Sequence, residues 1–115
     1  TVNIIDAESL LVTSFIDLTF SPAQIVYNQT SKELWIAQSK QNKISYFTKT
    51  NNVWSLKGNI ETGDDAHAIA FSKEGKRAFV VNQVANTVSV IDAVNHTKTK
   101  DIIVGNQPNG VVIKE

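Results

Sequence analysis

Asp64, Asp65 and His67 form the sharpest local cluster of ionisable side chains in the chain. An imidazole beside two carboxylates could hold a metal or serve a haem, with a carboxylate as second ligand or as orienter of the ring. The same three residues equally describe a surface histidine beside a turn whose carboxylates accept from backbone amides. A second set is neutral and polar: Asn82, Gln83, Asn86, Asn106, Gln107 and Asn109, joined earlier in the chain by Gln38, Lys40, Gln41 and Asn42. Such groups suit a polar ligand, a sugar, a protein surface or a metal with oxygen ligands. No Gly-rich phosphate loop opens a helix, no Ser stands in a nucleophile elbow, and no paired-His motif occurs. The sequence therefore assigns no catalytic residue and implies no cofactor.

These residues need elements to position them, and the elements repeat. Thr87–Ala93 recurs as Thr1–Ala7, and both Asp92 and Asp6 and Pro108 and Pro22 lie 86 residues apart. A degenerate copy stands between them, with Lys43–Thr48 matching the first segment and Ala66–Ile69 standing where Pro22–Ile25 and Pro108–Val111 stand. The period is thus about 43 residues, and short alternating strands at that period indicate propeller blades of four strands.

The third copy reads as strand A (67–71), a turn with Gly75 at positive φ, strand B (77–82), strand C (87–92) and strand D (98–104). Alternation places His67, Ile69 and Phe71 on one face of strand A. The second copy reads as strands at 23–27, 33–38, 43–48 and 53–61. The first supplies only C and D, and the last only strand A at 109–113, for eleven strands. The expected fold is all-β: antiparallel four-stranded blades, about 2.7 of them, forming a partial propeller. Residues 1–21 are the outer strands of one blade, 22–65 a second, 66–107 a third, and 108–115 the inner strand of the next.

Composition agrees. Apolar residues make up 42% of the 115, Val, Ile, Thr and Asn are plentiful, and Leu is scarce, which favours strands. Eleven basic and eleven acidic side chains cancel, so nothing offers a nucleic-acid footprint. No apolar run approaches a membrane span. Zero Cys excludes disulfides and thiolate metal sites. The chain also lacks Met, so residue 1 is expected not to be a native start.

These repeats resemble the YVTN-type β-propeller family. The resemblance is carried by Ala68–Gln83, Asn86–Asp92 and Ile103–Pro108, with Phe79-Val80-Val81-Asn82 in the place of the family's Tyr-Val-Thr-Asn. It implies a propeller of about six to eight blades that is extracellular, periplasmic or at the cell surface. The family includes archaeal surface-layer proteins. Related propellers include lactonases and haem- or quinone-dependent electron-transfer enzymes, so an enzyme is the competing expectation. For a haem-dependent relative only His67 could serve as axial ligand. Its equivalents Ala23 and Asn109 rule out a symmetric ring of histidines.

In a propeller the D–A and B–C connections share one face of the ring, which collects the polar residues above. Asp6 and Asp92, ending strand C in two copies, are expected to accept from turn amides, with Thr48 doing so in the middle copy. Asn82 and Asn86 are expected to fasten the B–C connection. Trp35, Trp54, Tyr27, Tyr46, Phe71 and Phe79 read as packing between blades, with Trp54 partly exposed. His96 reads as solvated, on the face opposite His67. Asn28-Gln29-Thr30 and Asn95-His96-Thr97 match the N-glycosylation pattern in turns.

A blade buries its faces only against neighbours, so fewer than three blades leave apolar faces bare. The expectation is a binding or scaffold module cut from a longer propeller. Self-assembly is the alternative, disfavoured because the leftover strands supply no B strand.

Overall fold

The computed structural model describes all 115 residues. Ten strands form three antiparallel sheets. Strands β1 (Val2–Ile5) and β2 (Val12–Ile16) form the first. Strands β3 (Ile25–Asn28), β4 (Glu33–Gln38), β5 (Lys43–Thr50) and β6 (Val53–Glu61) form the second in that order. Strands β7 (Ala66–Phe71), β8 (Arg77–Asn82), β9 (Thr87–Asp92) and β10 (Thr97–Ile103) form the third. One 3₁₀ turn, Ser39–Gln41, is the only helical segment, and no helix is long and apolar enough to cross a membrane.

The eleventh strand is absent. Residues 109–113 pair with nothing, because the B strand that would hydrogen-bond to them is not part of this chain. Position survives without pairing. Val111 and Ile113 are half-buried, Val112 is exposed, and the Glu115 carboxylate accepts from the Lys73 backbone N–H just beyond β7.

Alternation along β4 explains how the sheets stack. Its six residues are all buried, because each face meets a different neighbour. Leu34 and Ile36 face the first sheet, packing with Phe47 against Val2 and Ile16. Trp35 and Ala37 face the third, packing with Ile44 and Ile60 against Ile69, Ala78, Val80 and Ile91. Volumes complement one another: large incoming side chains meet aliphatics at the first interface, and small incoming Ala78 and Val80 meet Trp35 at the second. The stack extends 42 × 28 × 25 Å.

Trp35 is fully buried and stands edge-on to Phe71, with ring centroids 4.9 Å apart. Its indole N–H donates to Glu33 at 2.8 Å. Glu33 in turn reaches across the interface to His96 Nε2 at 2.9 and 3.0 Å. The His96 ring lies flat on Tyr46, 4.0 Å away at 6°. His96 is therefore not solvated. It is a plug from the β9–β10 turn, seated on the second sheet.

Polar rungs cross both complete sheets. Ser45 accepts from Gln38 and donates to Asn59 at 2.5 Å. Ser89 accepts from Asn82 at 2.8 Å and donates to Asp101 at 2.6 Å. Each buried hydroxyl is satisfied as donor and acceptor. Burial pushes the Asp101 carboxyl up, but hydrogen bonds from Lys98 and Ser89 and the Lys98 charge outweigh it and hold it low.

Asp6 accepts from the backbone of Glu8 and Ser9, and Asp92 from Val94 and Asn95, as their recurrence implies. Asn28 makes the same turn with Thr30 and Ser31. Its amide also donates to the Gly75 carbonyl across the interface, and a Cβ on Gly75, at φ 70°, would stand 2.5 Å from Asn28 Oδ1. Thr48 makes no such turn. Strand β5 runs on to Thr50, and Asn51-Asn52, at φ 50° and 64°, closes a two-residue hairpin.

Trp35→Ala is expected to cost about 3–5 kcal/mol, read from urea denaturation, since a large cavity opens and Glu33 loses a donor. The Asp92 carboxyl is held below its ordinary 3.8, first by the Asn95 backbone N–H, then by the Asn95 side chain, the Val94 N–H and the His96 charge. Its contribution is complete above the unfolded value and is lost as pH falls through the lowered folded value. Asp92→Asn, which accepts but does not titrate, should flatten the loss of stability between about pH 5 and pH 2.

Candidate functional site

The loop face is built on two asparagines in left-handed backbone. Asn42 ends the 3₁₀ turn after β4 at φ 55°, and Asn86 ends the β8–β9 connection at φ 56°. Asn tolerates this conformation better than most residues. Each asparagine clamps the crossing that follows its own sheet. The Asn42 carbonyl accepts from Thr62 N–H and its side-chain oxygen from Asp65 N–H at 2.9 Å. The Asn86 carbonyl accepts from Val104 N–H and its side-chain oxygen from Gln107 N–H at 2.8 Å. Asp65 and Gln107 themselves adopt positive φ, at 63° and 49°. Asn86 thus fastens the D–A crossing as well as ending the B–C connection.

Between the second and third sheets this geometry leaves a shallow depression of about 420 Å³, lined by Ser39, Lys40, Asn42, Asp64, Asp65 and Val84. Asp64 is exposed and accepts from the Asn42 amide at 3.1 Å. Lys40 is exposed between this depression and a second of about 270 Å³, lined by Thr19, Phe20, Ser21, Gln38, Lys40 and Gln41. Val84 is an exposed aliphatic among polar neighbours.

The expected site residues separate into three groups. Asp64 and Asp65 join Lys40 and Asn42 at the depression. Asn106, Gln107 and Asn109 are exposed along the next crossing, and Gln83 is half-buried, its N–H donated to the Asp65 carbonyl. Asn82 and Gln38 are buried and serve the polar rungs instead of a surface. Gly63 lies on Asn82 so closely that a Cβ there would stand 2.8 Å from its amide nitrogen.

His67 does not share a face with Ile69 and Phe71. The register shifts between Ala66 and Ala68, and it is Ala66 that packs into the core with Ile69 and Phe71. His67 therefore sits half-buried in a bulge and does not line the depression. No group of three His, Cys, Asp or Glu side chains is gathered in a way that could hold a metal, so Asp64, Asp65 and His67 do not form a ligand set. The depression adds Val84 to the expected residues and brings Lys40 beside the two carboxylates. Position is what marks both in the sequence, since Lys40 and Val84 each lie in a B–C connection.

No family model matches the chain. A PE-PGRS family protein of Mycobacterium tuberculosis, PE_PGRS18, is 46% identical over 50 residues, covering 44% of this chain and 11% of that protein. A functionally unknown protein from Desulfotomaculum acetoxidans superposes with TM-score 0.85 at 20% identity, over 96% of this chain and 37% of its own. The β-propeller domain of Cps50 (Swd1) from Myceliophthora thermophila superposes with TM-score 0.73 at 13% identity, over 94% of this chain and 36% of its own. With its four-stranded sheets, the chain is a partial β-propeller, and it spans about a third of the length of these structural neighbours.

Asn86→Ala should cost about 1–2 kcal/mol, because it loses a hydrogen bond and the residue type that tolerates left-handed backbone. Asn86→Gly keeps the backbone and should cost less. Urea denaturation of both variants measures the difference.

Proposed function

We propose that the chain is part of a secreted, periplasmic or cell-surface propeller of YVTN type, acting as a binding module through its polar loop face. The observation that supports the binding reading is that Lys40, Asp64 and Asp65 line one depression together with Val84, on connections fastened by hydrogen bonds. Connections held by their own hydrogen bonds lose little freedom on binding, so more of the contact energy appears as affinity. An exposed aliphatic among polar side chains suits protein recognition. Two carboxylates against one ammonium select a partner segment that carries a cation and an apolar anchor.

Panning a displayed peptide library against the chain tests this. The selected peptides should be basic with one aliphatic or aromatic residue. Their affinity should fall at least about tenfold for Asp64→Ala combined with Val84→Ser, a loss of about 1.4 kcal/mol. Equal binding to wild type and to this variant would refute the assignment of the face.

A further inference from the structure

Charge on the loop face is concentrated at one junction. Each crossing between sheets carries a pair of residues in an equivalent place: Phe20-Ser21 before the second sheet, Asp64-Asp65 before the third, and Asn106-Gln107 after it. Each B–C connection carries an exposed residue two places before its clamping asparagine, Lys40 before Asn42 and Val84 before Asn86. Only at the junction of the second and third sheets is the crossing pair charged, and Lys40 is the one cation in either connection. Both of these sheets are complete, so the depression between them has chain on either side.

The fold does not require these charges. Asp65 is held through its backbone N–H, which donates to Asn42 Oδ1, and Gln107 is held by Asn86 in the same way with no charge. Lys40, Asp64 and Asp65 line one depression, yet no ion pair forms among them. Hydrogen bonds also set their order. On one side of the crossing, Asn42 holds both aspartates. On the other, the Asp65 carbonyl accepts from Gln83 N–H at 2.9 Å and the Asp64 carbonyl from Ala85 N–H at 3.3 Å. Val84 lies between Gln83 and Ala85, so it stands across the carboxylates from Lys40. A chain laid over the junction from the second sheet to the third meets a cation, then two anions, then an aliphatic side chain.

We propose that the occupant of this junction is an extended peptide segment whose side chains run acidic, basic, apolar across it. The acidic residue meets Lys40, the basic one Asp64 and Asp65, and the apolar one Val84. This rests on the loop-face reading above and adds to it the acidic residue and the order. A free zwitterion of the same charges does not suit the place, because small-ligand sites enclose most of their ligand and this depression is shallow. Exposed ion pairs add little affinity, but two pairs of opposite sense side by side fix how a chain lies and reject it when reversed.

Panning one displayed peptide library in parallel against the wild-type chain and Lys40→Glu tests it. Lys40 is exposed, so the variant should keep the wild-type melting curve. Peptides selected by the wild type should carry an acidic residue on the side of the basic one away from the apolar residue. Those selected by Lys40→Glu should carry a basic residue there and keep the basic–apolar pair. A synthetic peptide of the wild-type consensus should bind Lys40→Glu at least about tenfold more weakly by fluorescence anisotropy, because like charges then meet. Replacing its acidic residue with Lys should restore binding to that variant. Asp65→Gln should melt as the wild type does, since Gln107 already takes the equivalent clamp, and should weaken peptide binding. The same peptides from both pannings, with the basic–apolar pair intact, would overturn the acidic position and leave the loop-face reading standing. A wild-type selection with no basic–apolar pair would overturn both. A lowered melting temperature for Asp65→Gln would make that carboxylate structural and overturn the proposal.

Discussion

Everything in this chain depends on sheets burying both faces against one another, and the Trp35 contact is where that constraint is met most fully. A four-stranded antiparallel sheet with apolar residues on both faces is not stable alone in water. Trp35 is the largest fully buried side chain, and its indole N–H would be costly there without a partner. Glu33 answers that N–H and would itself be a costly buried charge without His96. Apolar area thus brings the third sheet to the second, and a hydrogen-bonded chain of three side chains sets its position.

The repeat separates structural from functional residues more sharply than residue type does. Where copies agree, the shared group holds the fold: Asp6 with Asp92 in their turns, Ser45 with Ser89 in their rungs, Asn42 with Asn86 at their crossings. Where copies differ at equivalent places, the difference is chemical. Asp65 and Gln107 take the same backbone geometry from the same clamp, yet one bears charge and the other does not. Glu33 and Arg77 begin equivalent strands with opposite charge, so the two sheets present different chemistry at the same position. The blade sets positions, and side chains at those positions set what each interface or loop accepts.

The ten strands, their order in the sheets and the Asp6 and Asp92 turns were legible from residue order alone, while the turn expected at Thr48 was not, because β5 runs on to Thr50. Period-two alternation, the 86-residue recurrence and the Asp and Gly residues at strand ends are local signals, and local backbone preference decides them. Three further features were not legible, each for a tertiary reason. His96 looks like any polar turn residue until the second sheet brings Glu33 and Tyr46 beneath it. The bulge at Ala66–Ala68 turns His67 away from the face that strict alternation gives it, because β8 pairs with β7 in a shifted register. Residues 109–113 carry a strand's alternation, but a strand exists only by pairing, and its partner is not in the chain. The sequence by itself determined ten strands and how they succeed one another. Only the tertiary structure decided which polar side chains face solvent and which link one sheet to the next, because burial and hydrogen bonding across an interface belong to pairs of residues far apart in the chain.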